Sequence, residues 1–295
     1  MILRIITGIV GIIIAAVIIQ FGGFPFACFA ALLSLIGWHE YSSAFSRAGF
    51  STAYIFGAIT LLLILCCAYF GNIEELLAVI TLGMLAILLL TVLWGMNPAE
   101  AGVSIAGVFY IGLPFAHLIM LRFLTEERNP IESLHDVQNI FAGGINNLDV
   151  TQILSNLHFD TGCALIWILF TCTWASDTFA YFVGSALGSH KLASSISPKK
   201  TVEGFLGSIF GTTATGILIG HFIFGFPLVY MAGAGFLLAI VATLGDLVES
   251  VIKRFAGIKD SGFIIPGHGG VLDRFDSIFF TAPIFYYYVI IAGII

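Results

Sequence analysis

The sequence predicts an all-α protein, a polytopic bundle of transmembrane helices, on two observations. Of the 295 residues, 59% are hydrophobic and only 9% are charged, and the mean hydropathy is +1.06. Soluble domains carry about 25% charged residues. A chain so poor in charge cannot cover its surface with polar groups, so lipid is expected to be its main solvent. The second observation is a series of long apolar segments, each close to the length that crosses a bilayer.

About nine segments meet the length expected of a membrane span, roughly 17 to 25 mostly apolar residues. They lie at 3–20, 24–39, 53–71, 76–95, 101–123, 160–187, 202–224, 227–244 and 275–295. The first follows one cation, Arg4, as in a signal peptide, but no cleavage site followed by a polar mature chain is visible. We therefore interpret it as the first membrane helix. The second segment is short, and Gly225-Phe226-Pro227 predicts a tight turn between the seventh and the eighth.

The basic residues predict the orientation of the bundle. With nine spans, all but two of the eleven lysines and arginines fall on one side, the exceptions being Arg122 and Arg128. Because basic residues are retained on the cytoplasmic side, the N-terminus is expected in the cytoplasm and the C-terminus outside. The acidic stretch 124–159 then becomes an external loop.

Ionisable side chains are unevenly distributed between the two halves. They are scarce in the first five segments and frequent from Asp177 onward. Polar groups at membrane depth are costly and usually mark function. We therefore predict a transmembrane scaffold at residues 1–159, including the acidic loop, and a catalytic transmembrane region at 160–295. The net charge of −6 argues against nucleic acid as a partner.

The residues that continue the eighth segment suggest phosphate chemistry. On a helix, Asp246, Ser250 and Lys253 are spaced i, i+4 and i+7 and share one face. These groups suit a metal-bound polyphosphate, with the carboxylate on Mg²⁺ and the hydroxyl and ammonium on phosphate oxygens. A helix end whose charges merely reach interfacial water would show the same spacing, so this helix alone leaves both interpretations open.

The loop that follows favours the phosphate site. Lys259 and Asp260 precede the glycine-rich run at 266–270, and glycines let backbone N–H groups approach phosphate oxygens without a Cβ in the way. Asp273 and Asp276 are then spaced i, i+3 at the start of the last segment. A helix there would direct both carboxylates toward one point, as a divalent cation bound to phosphates requires.

Residues 250–276 closely resemble the signature of the phosphatidate cytidylyltransferase family, also called CDP-diglyceride synthases. The pattern shows no departure and runs Ser250-x2-Lys253-Arg254-x4-Lys259-Asp260-x-Gly262-x3-Pro266-x-His268-Gly269-Gly270-x2-Asp273-Arg274-x-Asp276. A second stretch, Ser176-Asp177-Thr178-x-Ala180-Tyr181-x2-Gly184-x3-Gly188 with Ile196-Ser197-Pro198-Lys199-Lys200-Thr201-x-Glu203-Gly204, resembles the family's cytoplasmic segment. The resemblance covers roughly 160–290, and the first half is similar to the family only in hydropathy.

The second stretch also has a physical interpretation. Ser197 is predicted to cap the seventh helix and Pro198 to open it. Lys199 and Lys200 would then lie in the first turn, where cations oppose the helix dipole unless an anion is bound. The phosphates of a triphosphate or of a lipid would remove this conflict. The alternative is a pair of lysines that extend to the membrane interface.

The resemblance implies that the phosphate of phosphatidic acid attacks the α-phosphorus of CTP, forming CDP-diacylglycerol and releasing diphosphate. A phosphate monoester, with a second pKa of about 6, is largely dianionic near pH 7 and needs little help from a base. The site is expected to require Mg²⁺, with room for a second cation, and to face the cytoplasm from the plasma (inner) membrane. Alternatives are a CTP-dependent lipid kinase, a cytidylyltransferase for an isoprenoid ether lipid, and a transporter. Transport is disfavoured because the charges cluster at one face.

Residue roles follow as hypotheses. Asp246, Asp273 and Asp276 are the predicted Mg²⁺ ligands, and Lys253 and Arg274 complete the catalytic group. The predicted substrate-binding residues are Ser250, Lys199, Lys200, Asp177, Tyr181, Lys259, Asp260, Gly267, His268, Gly269 and Gly270. His268 either contacts phosphate or is structural. The small residues Gly184 and Gly188 permit close helix contact, within one chain or in a homodimer.

Overall fold

The structure, a computed structural model, describes residues 2–124, 160–262, 264 and 269–294. The predicted external loop therefore lies, from residue 125 onward, outside the described residues. The first part of the chain forms α1 (Ile2–Phe21), α2 (Gly23–Arg47), α3 (Tyr54–Phe70), α4 (Ile73–Leu93) and α5 (Pro98–Arg122). The second part begins with α6 (Thr161–Leu187), β1 (Lys191–Ala193) and β2 (Ser197–Thr201). It continues with α7 (Val202–Gly216), a π-helical extension (Ile217–Ile223), α8 (Leu228–Phe255), α9 (Leu272–Phe275) and α10 (Ile278–Ile291).

The helix starts follow from local side-chain chemistry. Asn72 accepts the Glu75 N–H at 3.0 Å and caps α4. Asn97 and Glu100 form a capping box at α5, whose first position is a proline. Asp160 accepts the Cys163 N–H at 2.7 Å at the start of α6. Each cap satisfies a backbone donor that the first helical turn leaves without an intrahelical partner.

The predicted class, a helical membrane protein, is confirmed. Five helices of the described residues are long and apolar enough to cross a membrane, namely α4, α5, α6, α7 with its extension, and α8. Large apolar side chains point outward from them, as Phe210 does at 84% exposure and Val92 at 79%. Such a surface is stable in lipid and not in water. The number of spans and the side on which the N-terminus lies stay predictions.

Helices α2 and α8 extend beyond their predicted segments, α8 as far as Phe255, and the last segment is broken. Helix α2 continues past the apolar segment to Arg47 and so includes Glu40. The last segment is broken, because the single turn of α9 ends at Phe275 and α10 begins at Ile278. Apolar length alone predicts the part of a helix that can lie in lipid, and a helix can extend beyond it.

The stretch 191–201 adds a small two-stranded sheet to the helical fold. Strands β1 and β2 pair antiparallel, with Lys191 opposite Thr201. The predicted cap at Ser197 and helix start at Pro198 are wrong, because both residues lie in β2 and Thr201 caps α7 by accepting the Gly204 N–H at 3.1 Å. Lys199 and Lys200 therefore lie on a strand before the helix. Serine and threonine are both good caps, so local chemistry did not distinguish the two starts.

Tertiary packing favours the start at Thr201. This residue is buried against α6, and its hydroxyl lies where a Cβ on Gly184 or Gly188 would be only 2.9 Å away. A Cβ on Gly204 would be 2.7 Å from the carbonyl oxygen of Ala180. The glycines thus bring the backbones of α6 and α7 together, within one chain, around the Thr201 cap.

Aromatic side chains join the two halves of the bundle. Phe115 of α5 is fully buried, and its ring centroid lies 5.4 Å from that of Phe275 and 5.7 Å from that of Phe279. Tyr110, one turn earlier on α5, lies 5.0 Å from Phe279. The break between α9 and α10 is therefore packed against the N-terminal half, which supports the acidic residues at that break.

Candidate active site

Three carboxylates form an acidic cluster, defined here as Asp246, Glu249 and Asp276. One oxygen from each lies within 4.8 Å of the others. Asp246 and Glu249 are three residues apart on α8 and share a face, and Asp276 lies at the break between α9 and α10. Gly245 permits this approach, because a Cβ there would be 2.8 Å from the carbonyl oxygen of Asp276. Like charges at this separation are costly unless cations compensate them.

Two lysines contact different members of the acidic cluster. The Nζ of Lys200 lies 2.6 Å from an oxygen of Asp246 and donates to the Thr243 carbonyl oxygen at 3.3 Å. The Nζ of Lys253 lies 2.6 Å from an oxygen of Glu249 and 3.0 Å from one of Asp273. Lys200 and Lys253, both predicted from the sequence, are therefore part of the candidate site, and each compensates part of the negative charge of the acidic cluster.

Asp273 lies outside the acidic cluster, although it was predicted to converge with Asp276. Its Oδ1 contacts Lys253, and its Oδ2 accepts the N–H groups of Ser261 at 2.9 Å and Gly270 at 2.8 Å. Burial raises the pKa of this carboxyl, but the hydrogen bonds from Gly270 and Lys253 outweigh it and hold the pKa below its ordinary value. The backbone N–H groups of Ser261 and Gly270 thus orient the Asp273 side chain toward the end of the glycine-rich run.

Glu249 was missed in the sequence, although it occupies the place in the cluster that was expected for Asp273. Its signal was available, since Asp246 and Glu249 are spaced i, i+3 on the helix that was predicted to carry the chemistry. Its side chain is 3% exposed, so it is buried as an ion pair with Lys253.

A cavity of about 430 Å³ adjoins the cluster, between α6, the β-hairpin, α7 and α8. The predicted residues that line it are Asp177, Tyr181, Lys199, Lys200 and Asp246. Asp246 belongs both to the cavity wall and to the acidic cluster, so a ligand in the cavity would reach the carboxylates directly. The cavity combines acidic and basic groups, and Tyr181 on its wall is 70% exposed.

The remaining predicted residues lie at various distances from this centre. Ser250 donates to Asp246 over 3.4 Å, a long contact, and Arg274 is exposed next to Asp273, whose side chain is 6% exposed. Lys259 and Asp260 are exposed after α8 and, among the described residues, neither lines the cavity nor joins the acidic cluster.

The glycine run is described only in part. Gly269 has a φ of +86°, in the left-handed region that favours glycine, and a Cβ there would be 2.7 Å from Asp273 Oδ2. Gly270 donates to the same oxygen. Gly267 and His268 lie outside the described residues.

Known proteins are similar to this chain over almost its whole length. The model of the cytidylyltransferase family matches residues 2–292. A phosphatidate cytidylyltransferase from Synechocystis sp. is 36% identical over 291 residues, covering 98% of this chain and 96% of its own. A phosphatidate cytidylyltransferase from Staphylococcus haemolyticus is 30% identical over 286 residues, 95% of this chain and 96% of its own. One from Staphylococcus aureus is 44% identical over 124 residues, 42% of this chain and 48% of its own.

Proposed function

The chain belongs to the cytidylyltransferase family, and we propose that it is a phosphatidate cytidylyltransferase of the membrane. It would transfer the cytidylyl group of CTP to phosphatidic acid and release diphosphate. The observation that carries this proposal is the position of the lysine-lined cavity next to the acidic cluster, in an integral membrane protein. A nucleotide with three phosphates and a lipid with one phosphate both require this combination of cations and metal ligands.

The acidic cluster fits Mg²⁺, because Mg²⁺ prefers oxygen ligands and carboxylates above all. Asp246, Glu249 and Asp276 would hold it, with Asp246 presenting it to the cavity. Bound there, Mg²⁺ would neutralise negative charge that develops on the phosphates of CTP. A second cation is part of the same proposal, since the phosphates of CTP and of the lipid would bring further negative charge to the acidic cluster.

The residues of the chain would act by positioning and by charge compensation. Lys199 and Lys200 line the cavity wall and would bind phosphate oxygens of the two substrates. Holding the lipid phosphate in line with the α-phosphorus of CTP turns a bimolecular step into an effectively unimolecular one. The nucleophile arrives as a dianion, so the reaction asks no residue to remove a proton from it.

Exposed aromatic side chains beside the cavity suit an amphiphilic substrate. Tyr181 and Phe182 on α6 are 70% and 63% exposed, next to a cavity whose interior carries Asp177 and Lys200. Phosphatidic acid could place its phosphate in the cavity while its acyl chains stay in the bilayer. We also propose that the cavity faces the cytoplasm of a bacterial inner membrane, since Lys199, Lys200 and Lys253 follow the retention of basic residues on that side.

The test is an assay of the purified protein in detergent micelles with CTP, phosphatidic acid and Mg²⁺. We expect CDP-diacylglycerol and diphosphate in equal amounts, loss of product on chelation with EDTA, and recovery on addition of excess Mg²⁺. Release of CDP together with a phosphorylated lipid would instead establish a lipid kinase. A matched assay with an unsaturated isoprenoid ether lipid bearing a phosphate distinguishes the lipid class, and faster turnover of that lipid would contradict the assignment to phosphatidic acid.

A further inference from the structure

A buried carboxylate from the N-terminal half reaches the active-site turn. Glu40 lies on α2 and is 3% exposed. Its Oε1 accepts the N–H of Val271 at 3.1 Å, and its Oε2 accepts the N–H of Leu272 at 3.0 Å. A buried carboxylate is costly unless its oxygens are hydrogen-bonded, and here two consecutive backbone donors supply those bonds. Both donors lie directly before Asp273.

Two glycines of the motif make room for this carboxylate. A Cβ on Gly270 would lie 2.5 Å from both oxygens of Glu40, and a Cβ on Gly262 would overlap its Oε1. Cβ atoms essentially never approach other atoms so closely. The contact with Glu40 therefore requires glycine at both positions, whatever Gly270 also contributes to phosphate binding.

The same turn is held from its other side by Asp273. This residue accepts the N–H groups of Ser261 and Gly270, so the two carboxylates together take the three backbone donors of the turn at 270–272 and one from Ser261. Asp273 also contacts Lys253, whose Nζ lies 3.0 Å from its Oδ1. The same Nζ lies 2.6 Å from Oε2 of Glu249 in the acidic cluster. A series of short polar contacts thus joins Glu40 to the proposed metal ligands.

We propose that Glu40 is a positioning residue for cytidylyl transfer, which fixes the turn at 270–272 and through it the Asp273–Lys253–Glu249 series. The inference rests on the proposed function and extends it to the half of the chain that was predicted to be scaffold. Outer contacts of this kind orient metal ligands without touching the metal or the substrate. Glu40 does not line the cavity among the described residues, so its effect should appear in turnover and in Mg²⁺ dependence more than in substrate affinity.

The experiment compares Glu40→Gln and Glu40→Asp with a matched control, Ser34→Ala. Ser34 is also fully buried on α2, but its hydroxyl donates only to the carbonyl oxygen of Ala31. We expect Glu40→Gln to lower kcat about 10- to 100-fold and to raise the Mg²⁺ concentration for half-maximal activity, as loss of an outer contact does in metal sites. The KM for CTP should change less than about 3-fold, because Glu40 does not line the cavity among the described residues. Glu40→Asp keeps the charge and should recover part of kcat, and Ser34→Ala should behave as the unsubstituted protein.

Hydrogen exchange of the backbone separates this inference from the proposed function. In folded Glu40→Gln, the N–H groups of Val271 and Leu272 should exchange faster than in the unsubstituted protein, whatever reaction the protein catalyses. If the unsubstituted protein makes no CDP-diacylglycerol, the proposed function fails and exchange alone decides whether Glu40 holds the turn. A Mg²⁺ dependence and a kcat that match those of Ser34→Ala would overturn the inference. If Glu40→Gln does not fold, the same comparison is made with Glu40→Asp, and unchanged exchange and unchanged Mg²⁺ dependence overturn it.

Discussion

The two lysines of the site differ in their surroundings. Lys200 and Asp246 form a cavity pair, with side chains 22% and 29% exposed on the cavity wall. Lys253, 19% exposed, instead forms a framework pair with Glu249, whose side chain is 3% exposed, and it also contacts Asp273, which is 6% exposed. A partly exposed pair can exchange its partner for an incoming phosphate at little cost. A buried pair cannot, because separation would leave a charge without compensation. The difference supports the proposal that one side of the acidic cluster meets the substrate, while the other holds the fold.

The largest expected effect comes from Asp276, which lies close to the acidic members of both pairs, Asp246 and Glu249. Asp276→Asn removes one charge from the acidic cluster and should lower kcat about 100- to 1,000-fold, the range for loss of one electrostatic contact to a transition state. The measurement is CDP-diacylglycerol formation over a range of Mg²⁺ concentrations. Glu74→Gln, an exposed change on α4, is the control. Normal activity of Asp276→Asn would remove this residue from the proposed metal site.

The framework pair is tested by Lys253→Met. Loss of one partner of a buried ion pair costs about 3 to 5 kcal/mol, and the one-fifth exposure of the lysine places the expected loss in the free energy of unfolding at the lower end. Thermal unfolding in detergent should shift downward by several degrees, together with loss of activity. Lys191→Met, an exposed lysine of β1, should leave the midpoint unchanged. An unchanged midpoint in Lys253→Met would make the two pairs equivalent.

The cavity pair is tested by Lys200→Met, with Lys191→Met on the same hairpin as control. We expect an unfolding midpoint close to that of the unsubstituted protein and a fall in kcat/KM of about 10- to 100-fold, the loss of one charge-assisted contact. The substrate whose KM rises identifies the phosphate that Lys200 binds. A large fall of the midpoint, with activity per folded molecule retained, would contradict a role in substrate binding.

The smallest expected effect is that of Asp273→Asn. The amide oxygen can still accept one or both N–H groups of the turn, while the charge that faces Lys253 is lost. Because Asp273 is an outer contact, the Asp273→Asn substitution should lower activity about 10-fold, at the low end for such residues. A fall as large as that of Asp276→Asn would instead support the prediction that Asp273 binds the metal.

The sequence was informative wherever the signal lies in one continuous stretch of the chain. Apolar length located the helices, and the dense motif at 250–276 identified the family, which the family match over residues 2–292 confirms. It failed at the start of α7, because Ser197 and Thr201 can both cap a helix and the contact of Thr201 with Gly184 decides between them. Glu40 could not be predicted, since its partner Val271 lies 231 residues away in the chain.

The contact of Thr201 with the glycines of α6 and α7 has a consequence for how the site works. The end of β2 is anchored at the backbone, so the base of the Lys200 side chain is held one residue from that anchor. Its four methylene groups still allow the ammonium to swing. Lys200 therefore combines a fixed backbone with a flexible side chain. In the proposed reaction its ammonium would leave Asp246 for an arriving phosphate and return after each turnover, without a movement of the backbone that lines the cavity.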